Sequence, residues 1–278
     1  MVFVATRIWS NTRTLDGLIP ELEHPVSADL AEVAVVGTAP LDLSSMPHLT
    51  TIFRCGVGTD NIDFPACEEL GITVHMPSER SADIIYEETA NFAVKSVLDG
   101  LYRWSGCIYD WSKVNRPPLR ERPILLLGQG NIGRRVKGKL DSLLQVETWD
   151  PSYDDADELI PLLSRAEVVS LHMPLNDSTR GWFDSNLLAK MRDGSCLVNT
   201  ARGAIVDELA LLQELSTGRL RAVFDVFWEE PYHGPLREFH PDFFVMTPHI
   251  ASHCSAFVTS LADDLREILD SLGSRSSS

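Results

Sequence analysis

Ile124-Leu125-Leu126-Leu127-Gly128-Gln129-Gly130-Asn131-Ile132-Gly133 reads as an apolar strand, a G-x-G-x-x-G turn and the opening of a helix whose pattern runs over Ile132–Leu144. Each glycine has its own task in such a unit. Gly128 permits the tight turn, Gly130 lets backbone approach a pyrophosphate, and Gly133 lets the helix pack close to the strand. The pyrophosphate would lie on the helix N-terminus, held by loop N–H groups, those of Asn131 and Ile132 among them, and by the helix dipole. The next strand, Val146-Glu147-Thr148-Trp149, ends at Asp150, seventeen residues after Gly133, where an acid meets the adenosine ribose hydroxyls of a dinucleotide. Pro151-Ser152-Tyr153-Asp154-Asp155 follows with no Arg or Lys to receive a 2′-phosphate, a pattern that favours NAD over NADP.

Short β-rich runs alternate with amphipathic segments on both sides of this unit. Strands are expected at Val2–Thr6, Val33–Gly37, Thr51–Cys55, Ile124–Gly128, Val146–Asp150, Val168–Met173, Cys196–Asn199 and Ala222–Phe227. They are dense in Val, Ile, Leu and Phe without polar alternation, as strands covered on both faces are. Helical patterns lie between them, at Asp83–Asp99, Ile132–Leu144 and Asp207–Leu215, the last with Asp207 as N-cap and Gly218 just past its end. Such alternation predicts an α/β protein of doubly wound parallel sheets. The aromatics and prolines of Tyr102–Pro123 interrupt any period and mark a boundary between two domains. The expected division is a first domain of residues 1–100, completed by a C-terminal helix over 253–272, and a second of 101–252. Gly273–Ser278 is low in complexity and expected to be disordered.

The composition narrows the partners. At 278 residues and 44% hydrophobic, the chain can bury two cores, and Lys+Arg 24 against Asp+Glu 40 gives a net charge of −16. That balance argues against nucleic acid and against anionic membrane surfaces. Met1-Val2-Phe3-Val4-Ala5-Thr6-Arg7 shows neither a basic leader nor an apolar run of signal-peptide length and no stretch approaches a membrane span, so a protein without signal peptide or membrane helix is expected. Cys55, Cys67, Cys107, Cys196 and Cys254 are odd in number and scattered, which fits thiols in a reducing cytoplasm rather than disulfides or a metal site.

Three further segments carry chemistry: Asn199-Thr200-Ala201-Arg202-Gly203, Phe224-Asp225-Val226-Phe227-Trp228-Glu229-Glu230-Pro231 and Thr247-Pro248-His249-Ile250-Ala251. Each begins in or just after a strand, so their ends should converge on the carboxyl edge of a sheet. With Gly56-Val57-Gly58-Thr59-Asp60-Asn61-Ile62-Asp63, these motifs make the chain resemble the D-isomer-specific 2-hydroxyacid dehydrogenases, from about Val33 to Ala251. The resemblance implies a flavodoxin-like substrate domain, a Rossmann NAD-binding domain and a homodimer. It implies that Arg202 holds the substrate carboxylate and polarises its carbonyl, that Glu230 pairs with the catalytic histidine, and that His249 gives and takes the proton. It also implies cofactor contacts from Asp225, Thr179, Thr200 and Ala201, and substrate contacts from the amides of Val57 and Gly58.

Elementary chemistry agrees with those roles. Reducing a 2-keto acid needs a hydride on carbon and a proton on oxygen; histidine serves proton transfer in both directions, and a neighbouring carboxylate fixes its tautomer. Arginine offers a permanently charged fork matched to a carboxylate. Glu229 competes with Glu230 for its role, and His233, His240 and His253 lie near His249 in sequence, but only His249 follows Thr-Pro. Arg54 precedes the glycine loop as in the phosphoglycerate branch of the family, where an arginine meets a phosphate; a salt-bridged or solvated side chain is the other reading. Met76–Ser81 departs from the family's small-residue pattern. Two other functions stand beside the leading one: a formate- or phosphite-type dehydrogenase of the same family, and a non-catalytic NAD(H)-sensing interaction protein.

Overall fold

The computed structural model describes residues 6–275 except 105 and 108. The chain divides into two compact units, one of residues 1–85 with 253–278 and one of residues 86–252.

The first unit holds a four-stranded sheet. Its strands β1 (Ile8–Ser10), β2 (Val33–Val36), β3 (Thr51–Arg54) and β4 (Thr73–His75) are parallel and lie side by side in chain order. Alternate residues feed two cores. Val33, Val35 and Phe53 face one side, with Phe257, Leu261, Ala262 and Leu265 of the C-terminal helix. Ala34, Val36 and Ile52 face the other, with Ile62, Cys67 and Ile72. The helix α1 (Phe64–Glu69) belongs to that second layer; Asp63 caps it by accepting the Ala66 N–H at 3.0 Å. The strand expected at Val2–Thr6 lies almost wholly outside the described residues, and the first strand described is Ile8–Ser10.

The helix α2 (Glu79–Tyr102) is continuous through the division between the units. Ile85 joins the first core, while Ala90, Ala93, Val97 and Leu101 join a core of the second. The division therefore falls earlier than the Tyr102–Pro123 interruption. Sequence breaks mark where helices stop, whereas one helix can serve two cores. After α2 come a small antiparallel pair, β5 (Gly106–Cys107) and β6 (Ser112–Lys113), and then the larger sheet.

That sheet contains β7 (Pro123–Leu127), β8 (Gln145–Trp149), β9 (Val168–Leu171), β10 (Cys196–Asn199), β11 (Arg221–Phe224) and β12 (Phe244–Met246). Its order is β12-β11-β10-β9-β7-β8, every neighbouring pair parallel. Leu125 and Leu127 point to one core, Ile124 and Leu126 to the other, which is why β7 reads as an unbroken apolar run. The helices α3 (Asn131–Leu140), α4 (Ala156–Arg165), α5 (Ser185–Leu188) and α6 (Glu208–Ser216) supply the crossovers. Asp207 caps α6 by accepting the Ala210 N–H at 2.9 Å, and Gly218 follows at φ +70°. The last helix, α7 (Ser255–Arg275), returns to the first unit and includes Gly273, and residues 276–278 lie outside the described part. Both sheets are parallel and covered by helices, the doubly wound α/β arrangement read from the sequence.

In the larger sheet the chain leaves β7 first toward β8 and afterwards toward β9 on the other side. The connections diverge there, and it is outside the carboxyl ends of the strands at such a point that α/β proteins of this kind take ligands.

Candidate active site

The parallel register aligns the strand ends. Leu127 pairs with Trp149 and with Leu171, Leu171 with Asn199, Asn199 with Phe224, and Phe224 with Met246. The residues that follow them, Asp150, Gly128, His172, Thr200, Asp225 and Thr247, therefore form one row along the carboxyl edge of the sheet. Motifs far apart in sequence become neighbours through hydrogen-bond register alone.

The glycine loop suits a dinucleotide. Gly128 turns at φ +105°, and a Cβ there would stand 2.7 Å from the His172 carbonyl; one at Gly133 would stand 2.1 Å from the Gly128 carbonyl oxygen. At Gly130 the same test meets nothing within 4 Å, so the N-terminus of α3 opens onto free space where a pyrophosphate could approach the backbone. Asp150 closes the loop from β8: its carboxylate accepts the Gln129 N–H at 2.7 Å and the Ser152 N–H at 2.9 Å. Burial opposes its charge, but those amides and the nearby Arg134 hold its pKa below the usual value. Trp149, stacked on Trp182 at 5.7 Å, braces the strand end that presents it. Asp154, which the sequence reading passed over, accepts the Asp150 N–H at 2.8 Å and adds a second carboxylate beside the first. Thr179 is buried in the turn after β9, where its hydroxyl donates to the Pro174 carbonyl at 2.6 Å and accepts the Asn176 N–H at 2.9 Å.

The second cluster follows β10 and β11. Asn199 clamps the Thr200–Arg202 turn: its carbonyl oxygen accepts the Ala201 N–H at 3.0 Å and its amide donates to the Arg202 carbonyl at 2.9 Å. Thr200 is buried, and its hydroxyl has no protein partner among the described residues. The Arg202 guanidinium donates to the Ala201 carbonyl at 2.7 Å. Gly203 lies so close to Phe227 that a Cβ would stand 2.1 Å from its carbonyl carbon. Phe227, stacked on Tyr232 at 5.0 Å, donates its N–H to Glu230 Oε1 at 3.1 Å.

Glu230 in turn meets His249, with its Oε2 2.8 Å and its Oε1 3.0 Å from Nδ1. Burial raises the Glu230 pKa, but the bond and charge of His249, the Phe227 amide and the charge of Arg202 outweigh it and leave the carboxyl below its usual range. An ionised carboxylate on Nδ1 keeps a proton there and leaves Nε2 as the atom that can exchange one. The turn that carries His249 is held by Asp225, which accepts the Thr247 hydroxyl at 2.6 Å, the Ile250 N–H at 3.0 Å and the Ala251 N–H at 2.8 Å. Burial is the largest influence on Asp225 and pushes its pKa up against those bonds.

The competing residues go elsewhere. His233 lies against Arg237, His240 against the Phe244 carbonyl and His253 against Phe257, while Glu229 is exposed. His249, by contrast, meets the Glu230 carboxylate. His172 escaped the sequence reading. It is buried between Gly128 and Gly133, bonded to the Ser170 hydroxyl at 3.0 Å, and burial pushes it down to about 4, so it stays neutral. Its signal was its place directly after a strand of the nucleotide sheet. In the first unit Arg54 is 2% exposed at the end of β3, and its Nε donates to the Gly58 carbonyl at 2.8 Å.

Comparison with known proteins agrees with this geometry. A sequence model of the D-isomer specific 2-hydroxyacid dehydrogenase NAD binding domain matches residues 103–251, and one of the catalytic domain matches residues 25–87. A (S)-sulfolactate dehydrogenase of Chromohalobacter salexigens is 34% identical over 225 residues, 75% of this chain and 72% of that protein. A hydroxypyruvate reductase of Thermotoga maritima is 32% identical over 249 residues, 84% of this chain and 79% of that one. Among solved structures, a D-lactate dehydrogenase from Aquifex aeolicus complexed with NAD and lactic acid superimposes with a TM-score of 0.74 at 25% identity, over 92% of this chain and 85% of that chain.

Proposed function

This chain belongs to the D-isomer-specific 2-hydroxyacid dehydrogenases and is an NAD-dependent oxidoreductase, and on that premise we propose that it interconverts a D-2-hydroxy acid and its 2-keto acid with His249 as the acid and base. The observation that supports this reading is the 2.8 Å contact between Glu230 and His249 Nδ1, which leaves Nε2 open for proton exchange. Glu230 orients the ring and offsets its positive charge. Arg202 binds the substrate carboxylate through its fork and draws electron density from the carbonyl. Asp225 fixes the turn beneath His249 and borders the nicotinamide, and Thr200 and Ala201 line the cofactor. Gly128, Gly130, Asn131, Ile132 and Gly133 receive the pyrophosphate, and Asp150 takes the ribose hydroxyls. Thr179 would give a further cofactor contact, and Val57 and Gly58 would offer amides to a substrate carboxylate. NAD, when bound, supplies or accepts the hydride; the residues above hold the reacting groups and move the proton.

We place the enzyme in the cytoplasm, which the five free thiols support. We also read it as a homodimer. Tyr109 is 97% exposed and Trp111 73%, and solvent-exposed aromatics beside a two-stranded hairpin are what a second copy would cover.

Turnover of the purified chain on a panel of 2-keto acids with NADH tests the reading, with the configuration of the product determined. Reduction to the D-hydroxy acid supports it. No turnover on any member of the panel, with NADH bound, would favour the sensing protein instead.

A further inference from the structure

We propose that Arg54 is a positioning residue, which shapes the Gly56-Val57-Gly58 loop for the carboxylate common to all 2-keto acids and does not anchor a second anionic group. This deepens the reading above and rests on it for the identity of the carboxylate.

The observations lie within the first unit. Arg54 ends β3, and its side chain turns back beneath the loop that follows it. Nε donates to the Gly58 carbonyl at 2.8 Å and Nη1 to the Val36 carbonyl at 3.3 Å. Val36 ends β2 and is Arg54's own register partner. The guanidinium packs against Gly56 so closely that a Cβ there would stand 3.1 Å from Nη1 and 3.4 Å from Cζ. One side chain thus ties the last residue of a neighbouring strand to the first and last residues of the loop.

The consequence is chemical. A guanidinium that is 2% exposed cannot meet a phosphate or sulfonate without leaving both carbonyls and drawing its charge out from under the loop. Where it stands, it fixes the direction of the Gly58 peptide. It also places a permanent positive charge beneath the loop. Such a loop favours any carboxylate laid on the Val57 and Gly58 N–H groups, through oriented donors and a charge in a medium that screens poorly.

The test uses the full chain and the variants Arg54→Lys and Arg54→Gln, with glyoxylate as a keto acid of one anionic group and 3-phosphohydroxypyruvate as one of two. With NADH saturating, Arg54→Gln should raise KM about tenfold or more on both substrates by a similar factor. It should leave kcat within about threefold and NADH binding unchanged, and Arg54→Lys should recover part of the loss. Hydrogen exchange of the peptide spanning residues 55–61 should quicken by about tenfold in Arg54→Gln. A KM increase confined to 3-phosphohydroxypyruvate would overturn the proposal, as would unchanged KM and unchanged exchange. If the wild-type chain reduces no member of the 2-keto acid panel, the dehydrogenase reading fails on that result, and exchange in the loop still decides the role of Arg54.

Discussion

The Asp225 carboxylate grips the chain on both sides of His249, taking the Thr247 hydroxyl before it and the Ile250 and Ala251 amides after it. His249 itself stands at φ +53°, in the left-handed region that residues with a Cβ enter only when their surroundings hold them there. Asp225 is 1% exposed, so this hold is made out of water. A charged side chain at the end of β11 is thereby turned into a fixture for a ring at the end of β12.

Asp225→Ala should show both halves of that arrangement. Each buried donor left without an acceptor costs about 1–3 kcal/mol, and relaxation should bring the total to about 3 kcal/mol. For a protein of this size that lowers Tm by roughly 6–12 °C. Displacing the imidazole by even 1 Å should cost about 10²-fold in kcat. Calorimetry and steady-state kinetics on the same preparation measure the two effects, and full activity alongside a lowered Tm would leave Asp225 a purely structural residue.

His249→Ala should slow turnover by about 10²–10⁴-fold, the range for a positioned acid or base. Fluorescence titration should show NADH binding as in the wild type, because the glycine loop and Asp150 lie at other strand ends. The matching changes at His233, His240 and His253 should have little effect on kcat. Loss of turnover in one of those three, with His249→Ala active, would move the assignment.

Cofactor choice should follow the two carboxylates after β8. Asp150 and Asp154 together repel a 2′-phosphate, so kcat/KM should favour NADH over NADPH by about 10²-fold or more. Asp150→Ser should narrow that ratio. It should also raise KM for NADH, since Asp150 holds the Gln129 N–H within the glycine loop. Equal efficiency with both cofactors in the wild type would refute the role given to Asp150.

Acid stability should carry the mark of Glu230. Its folded pKa lies below the ordinary 4.5, so its contribution is fully present above that value and is lost as pH falls through the lower folded one. The difference in Tm between wild type and Glu230→Gln should therefore shrink as pH falls below about 4. A difference that grows as pH falls below about 4.5 would mean that burial, and not His249, governs this carboxyl.

The nucleotide half of the site was plain in the sequence because it is local. Strand, glycines and helix are contiguous, and the steric need for Gly128 and Gly133 leaves few substitutes. The pair Glu230–His249 was legible through flanking prolines and a family resemblance, not through spacing. What escaped was set by register or length. His172 and Asp154 matter only because β7, β8 and β9 are adjacent, and adjacency is not written in either segment. The strands β4 and β12 have three residues each and α5 has four, too few for a period to show. In α4, Pro161 lies inside the helix and masks its pattern. The direction of Arg54 stayed open in the sequence because a side chain curling back on its own loop looks the same there as one reaching outward.

The layout of α7 bears on how the molecule is made. Phe257, Leu261, Ala262 and Leu265 seal one face of a sheet whose strands all come from the first 75 residues. During synthesis the nucleotide-binding unit, continuous from residue 86 to 252, has all its parts before the ribosome reaches α7. The unit begun first must wait with Val33, Val35 and Phe53 uncovered until α7 has been translated. Premature termination before Ser255 would thus release a chain with one finished half and one sticky half, and chaperones would meet the amino-terminal part of this protein for longer than the carboxyl-terminal part.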